Sequence, residues 1–113
     1  MRLTAPVSLA FAAHACGGRL VRPNGVSVDS VSIDTRNLEK GALFFALAGE
    51  NCDGSRFVPL AQSLGAHAAV VAESHVAELL SACSIPLIAV KDSLRALQRF
   101  SAHELEKYTH VEY

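Results

Sequence analysis

The residue types best suited to chemistry gather in two short stretches of the chain. One is Ser32-Ile33-Asp34-Thr35-Arg36, and the other runs between Gly49 and Gly54 through Glu50, Asn51, Cys52 and Asp53. Thr35 supplies a hydroxyl and Arg36 a guanidinium fork suited to phosphate, while the glycine-bounded loop supplies backbone N–H groups, an amide and two carboxylates. That set suits a phosphorylated, hydroxyl-rich ligand, and it contains no obvious nucleophile and base pair. The plainer alternative is a turn carrying a solvated arginine, since a Gly-x-x-x-x-Gly loop without a following Lys-Ser/Thr is no phosphate loop of the nucleotide-hydrolysing kind.

For these groups to meet, two strands must deliver them to one place. Val26, Val28, Val31 and Ile33 alternate with polar residues as a half-exposed strand does. The alternation slips between Asp29 and Val31, which predicts a bulge or break. Residues 42–48 are apolar almost throughout and bounded by glycines, the pattern of a buried central strand. The loop of residues 49–54 therefore leaves the end of a central strand, where open α/β sheets usually bind ligands.

The remaining elements complete an α/β pattern. Residues 55–64 read as a helix with Phe57, Leu60, Ala61 and Leu64 on its apolar face and Gly65 as its stop. Residues 68–72 form a second buried strand, making a βαβ unit with a right-handed crossover. A short helix over 75–83, a third core strand over 86–90 and a last helix over 93–107 follow. The last helix has Asp92 or Ser93 as N-cap and Leu94, Leu97, Phe100 and Leu105 as its stripe. Upstream, residues 9–16 form a helix capped by Ser8 and stopped by Gly17-Gly18, residues 19–21 a short strand, and Pro23-Asn24-Gly25 a turn with a hairpin signal. The expected fold is α/β, a small single domain over residues 1–113 with a mixed or mainly parallel sheet flanked by helices.

Composition narrows the function. With 113 residues, half of them hydrophobic, only 6% aromatic and no tryptophan, the chain can bury a core of Ala, Val, Leu and Ile without metal or disulfide. A formal charge of -1 does not draw it to nucleic acid or to an anionic membrane. Cys16, Cys52 and Cys83 lie far apart, and the five histidines lack metal-ligand spacing, so no metal site is expected and a reducing, cytoplasmic setting fits. Residues 2–16 also mimic a weak signal peptide or a poor lipoprotein box at Cys16, the rival to the capped helix.

The ordered motifs add a resemblance. Ser32-Ile33-Asp34-Thr35-Arg36, the run 41–50, Asp53-Gly54 with Phe57, and Gly65-Ala66 leading into Ala69-Val70-Val71 are similar to the N-terminal domain of the Mur ligases. These cytoplasmic enzymes add amino acids to UDP-N-acetylmuramic acid in peptidoglycan synthesis. Within the family, Gly49-Glu50-Asn51 and residues 87–92 look more like the member adding D-alanyl-D-alanine than the one adding the third stem-peptide residue.

The resemblance implies a domain that binds the UDP-N-acetylmuramoyl-peptide, with ATP and Mg2+ handled by a separate central domain. Ile33 and Thr35 fall where the family's strand end meets the uridine diphosphate, and Glu50, Asn51 and Cys52 fall on the loop against the nucleotide. Arg36, Asp53 and Gly54 match positions that serve either contact or loop geometry. Thr35 stands where many relatives have serine and keeps the hydroxyl, while Cys52 is expected to act through its backbone. No Gly-Lys-Thr/Ser phosphate loop occurs before Tyr113, so the chain itself is expected to hold no cofactor, to bind without catalysing, and to be an excised domain or a short gene product. Its expected partners are the substrate and the absent central domain, with no nucleic acid and no membrane, in a monomer. The rival from another class is a stand-alone interaction module that keeps the fold without the ligase activity.

Overall fold

β-Branched and aromatic runs punctuated by glycine set out the strands, and the computed structural model, which describes residues 2–47 and 54–112, pairs them into one sheet. Among the described residues the strands are β1 (Arg2–Ser8), β2 (Arg19–Val21), β3 (Ser27–Ser32), β4 (Ala42–Phe45), β5 (Ala68–Ala72) and β6 (Leu87–Val90), in the order β1-β3-β4-β5-β6-β2. β3, β4, β5 and β6 run parallel, and β1 and β2 add antiparallel at the two edges. The mixed, mainly parallel sheet is as expected. Every residue of β4 and β6 is buried, as parallel strands covered on both faces must be.

Helices cover both faces. α1 (Leu9–Cys16) and α4 (Ser93–Glu112) lie on one, where Ala12, Cys16, Ala96 and Phe100 join Leu43, Phe45, Val70 and Ile88. The rings of Phe45 and Phe100 sit 5.9 Å apart in a tilted contact. α2 (Val58–Ser63) and α3 (Val76–Ala82) cover the other face, where Val58, Ala61 and Leu79 meet Phe44, Ala69 and Val71. Neighbours such as Phe44 and Phe45 thus serve opposite cores, the period of two made physical.

Local chemistry explains the ends of α1. Ser8 Oγ accepts from the Phe11 N–H, and at the other end Gly17, at φ 70°, and Gly18 donate to the carbonyls of His14 and Ala13. A helix of eight residues would not persist alone, so its buried alanines must hold it on the sheet. Arg22 then takes a left-handed backbone conformation, φ 56°, and its guanidinium donates to the carbonyls of Leu80, Cys83 and Ile85, each at 2.9 Å. It thereby satisfies the Leu80 and Cys83 carbonyls at the end of α3, which lack helical partners, and the Ile85 carbonyl in the segment that follows.

Several expectations need correction. The Asn24-Gly25 turn makes no hairpin, because β2 pairs with β6 and β3 with β1 and β4, at opposite sides of the sheet. The bulge expected in β3 falls instead on its partner: β3 is continuous, and the register shifts between Arg2 and Val7 of β1, a strand not anticipated from the apolar run. Residues 54–57 form a 3-10 turn and α2 begins only at Val58, since Pro59 has no N–H to give to a preceding turn of α-helix. Phe57, Leu60 and Leu64 are consequently exposed, and Val58 with Ala61 face the core, the small alanine letting the helix lie close to the sheet. Leu94 is likewise exposed, and Ala96 and Phe100 anchor α4.

Candidate functional site

Parallel pairing of β3 with β4, Ser32 opposite Phe44, means that the segments following both strands emerge at the same carboxyl edge of the sheet. After β3 the chain folds back sharply. Ser32 Oγ donates to the Asp34 carbonyl at 2.7 Å and accepts from the Asp34 N–H at 3.2 Å, so one hydroxyl shapes the turn. Asp34 then caps a short 3-10 turn, Thr35–Asn37, by accepting from the Arg36 N–H at 2.9 Å.

The same carboxylate also takes the arginine side chain. Arg36 Nε lies 3.1 and 3.0 Å from the two Asp34 oxygens, and Nη2 is 2.6 Å from Oδ2. Hydrogen bonds from the Arg36 side chain, followed by its backbone N–H, hold the Asp34 carboxyl below its usual range. The side chain of Arg36 remains 86% exposed. A phosphate approaching it meets a guanidinium already shared with a carboxylate. Ile33 is exposed beside this turn, and Thr35, half-buried, opens it.

The second segment leaves β4 through a narrow neck. The Ala46 N–H donates to Val70 O at 2.9 Å, extending the contact with β5, and the Gly54 N–H donates to Leu47 O at 2.8 Å. Between Leu47 and Gly54 the loop carries Glu50, Asn51, Cys52 and Asp53, which lie outside the described residues. Gly54 itself is buried, and a Cβ there would stand 2.6 Å from Leu47 O and 2.7 Å from Leu47 N. Those are backbone atoms that cannot swing away, so glycine is required to close the neck. Of the residues singled out from sequence, Ile33, Thr35, Arg36 and Gly54 therefore share one edge, with Gly54 in a geometric role.

Residues 27–105 match the family model described as the Mur ligase family, catalytic domain. The chain belongs to the Mur ligase family. Among curated relatives it is 42% identical over 72 residues to a UDP-N-acetylmuramoyl-L-alanyl-D-glutamate--2,6-diaminopimelate ligase of Bradyrhizobium diazoefficiens, covering 64% of this chain and 14% of the relative. It is 35% identical over 89 residues to a UDP-N-acetylmuramoyl-tripeptide--D-alanyl-D-alanine ligase of Haemophilus influenzae, covering 79% and 18% respectively. A crystal structure of MurF from Acinetobacter baumannii superposes with a TM-score of 0.77 at 24% identity, over 95% of this chain and 22% of that one. This Mur ligase chain thus spans less than a fifth of the curated relatives described and shares its fold with part of MurF.

Two features of this Mur ligase domain were missed in the residue types. Asp34 belongs to the motif in sequence and is the partner of Arg36 in the structure, for which a carboxylate two residues before an arginine at a turn is a local signal. Lys91, Arg95 and Arg99 recur at every fourth position, a basic stripe visible in the sequence beside the apolar Leu94 and Leu97. Among the described residues no helix is long and apolar enough to cross a membrane, and no three His, Cys, Asp or Glu side chains gather as a metal site would need.

Proposed function

We propose that this chain is the UDP-N-acetylmuramoyl-peptide-binding domain of an ATP-dependent ligase that adds D-alanyl-D-alanine in peptidoglycan synthesis. The observation that carries the reading is the parallel register of β3 and β4, which puts the Ile33 to Arg36 turn and the neck at Leu47 and Gly54 on one edge. In this reading Ile33 offers an apolar contact to the uracil side, Thr35 its hydroxyl, and Glu50, Asn51 and Cys52 belong to the lip against the nucleotide. Asp53 and Gly54 shape that lip. Arg36, tied to Asp34, fixes the turn and offers its remaining N–H groups to the diphosphate. The parent enzyme would work in the cytoplasm as a monomer, with ATP and Mg2+ held by a central domain that also packs against this one. There ATP would phosphorylate the substrate carboxylate, and the amine of the dipeptide would attack the acyl phosphate. The chain alone would bind and not catalyse.

A second reading, the ligase that adds the third stem-peptide residue, is favoured by the 42% identity to the diaminopimelate ligase. Titration of the labelled chain with UDP-N-acetylmuramic acid, followed by NMR, tests the binding role shared by both. Saturable shifts at Thr35 and Gly54, lost in Thr35→Ala, are expected. Arg36→Ala should weaken binding while leaving the melting temperature nearly unchanged, because an exposed ion pair adds little to folding. No shift at millimolar ligand would overturn the reading in favour of a stand-alone interaction module.

A further inference from the structure

The carboxyl edge of the sheet has a second built feature, at the end of β6. There α1 ends at Gly17, β6 ends at Val90, and α4 begins, and between them lies a cavity of about 440 Å3, lined by these residues with Lys91, Arg95 and Arg99. That volume is within the range of small-molecule sites. β3 and β6 are separated by two intervening strands, so this cavity lies roughly 14 Å along the edge from the Asp34–Arg36 turn at normal strand spacing.

Its charge is lopsided. Lys91, Arg95 and Arg99 face one carboxylate, Asp92, and that carboxylate accepts from the N–H groups of Leu94 and Arg95 at 3.0 and 3.1 Å as the N-cap of α4. Among the described residues none of the three cations has an ion-pair partner, in a chain whose formal charge is -1. The Cys16 thiol in the wall adds no negative charge, because burial pushes its pKa up to about 12. All three side chains are exposed to solvent, and one of them is placed by a helix end. Arg99 Nη1 occupies the space that a Cβ on Gly17 would fill, so glycine at the end of α1 seats the guanidinium against the cavity wall, beside the partial negative charge of the helix end.

We propose that this cavity is a second anion site, separate from the β3 and β4 edge, which takes a small dianionic phosphate group. Three cations around one recess match a phosphate monoester or pyrophosphate in charge, and the recess is roomy enough to admit either. Lys91 supplies a point charge, and the two guanidinium forks supply directed N–H donors. A polyanion such as RNA would need a longer basic track than one recess offers.

The test is titration of the labelled chain with inorganic pyrophosphate at low ionic strength, following the amides of Gly17, Gly18 and Lys91 and the guanidinium Nε signals. Saturable shifts are expected at millimolar concentration or below. The double variant Arg95→Gln with Arg99→Gln should weaken binding by at least about tenfold, since each charge-assisted hydrogen bond is a strong one. Its melting temperature serves as the folding control. Asp92→Asn, which keeps a capping side chain and removes the carboxylate, should tighten binding a few-fold, by about the Coulomb energy of one partly screened charge. Arg36→Ala should leave these shifts unchanged, which separates this site from the nucleotide reading. Absence of saturable shifts at Gly17 and Lys91, equal shifts with sodium chloride at matched ionic strength, or equal loss in Arg36→Ala would overturn it.

Discussion

At the end of β3, Arg36 donates through Nε and Nη2 to Asp34 two residues away, whereas at the end of β6 Lys91, Arg95 and Arg99 surround a recess whose one carboxylate is turned into a helix cap. Both spots are basic and both lie on the carboxyl edge of one sheet. They differ in where the counter-charge sits. A guanidinium partly neutralised by its own turn is held in place and attracts anions less strongly, so affinity there must come from its remaining N–H groups together with hydroxyl, backbone and apolar contacts. Unpaired cations around a recess attract anions through charge itself, and lose that attraction as salt rises.

The contrast can be broken at its foundations first. Phe100 is fully buried against Phe45 and anchors α4, so Phe100→Ala should cost about 3–5 kcal/mol of unfolding free energy in a urea titration, the usual range for an emptied aromatic site. The β6 end should loosen with it, since α4 carries Arg95 and Arg99. At the other end, Gly54→Ala places a methyl group against the Leu47 backbone and should cost about 1–3 kcal/mol, as overpacking does. Amide exchange should then accelerate at Ala46 and Leu47 and stay unchanged at Lys91.

Charge provides the finer tests. Asp34→Asn keeps a side-chain acceptor for the Arg36 N–H but releases the guanidinium, making the β3 end more like the β6 end. Pyrophosphate shifts at Thr35 should then appear or strengthen a few-fold, in line with removing one screened charge. The smallest effect is in acid. Because Asp34 has its pKa lowered in the folded chain, its pairing with Arg36 adds stability above the ordinary carboxylate pKa and loses it as pH falls through the lowered value. The carboxyl 13C signal of Asp34 should therefore titrate below the range of a free aspartate, and in Arg36→Ala it should return toward it.

Much of this architecture was legible because runs such as Ala42-Leu43-Phe44-Phe45 and Ala68-Ala69-Val70-Val71 admit few readings other than a doubly covered parallel strand. Glycine at 17 and aspartate at 92 marked helix ends for stereochemical reasons that act locally. What escaped notice depends on partners distant in sequence. The destination of β2 is decided by Leu87, Ile88 and Ala89, and no turn signal at Asn24-Gly25 can report that. On α2 the sequence places Ala61 rightly on the buried face, but Phe57, Leu60 and Leu64 are exposed and Val58 takes their place against the sheet, because the 3-10 turn before Val58 rotates the pattern. At the site, the Thr35 turn could be read from its order of residues, but the tie between Asp34 and Arg36 is a matter of geometry. The basic recess needed the meeting of α1 with α4, which only the folded chain displays.

The pairing of β2 with β6, reinforced by Arg22 on the carbonyls of Leu80, Cys83 and Ile85, has a consequence for how the domain is made. On the ribosome, residues 19–22 emerge early and stay without their strand neighbour until residues 87–90 have left the exit tunnel. The sheet cannot be finished from its front, so assembly waits on the last third of the chain, a long loop closure of the kind that slows folding.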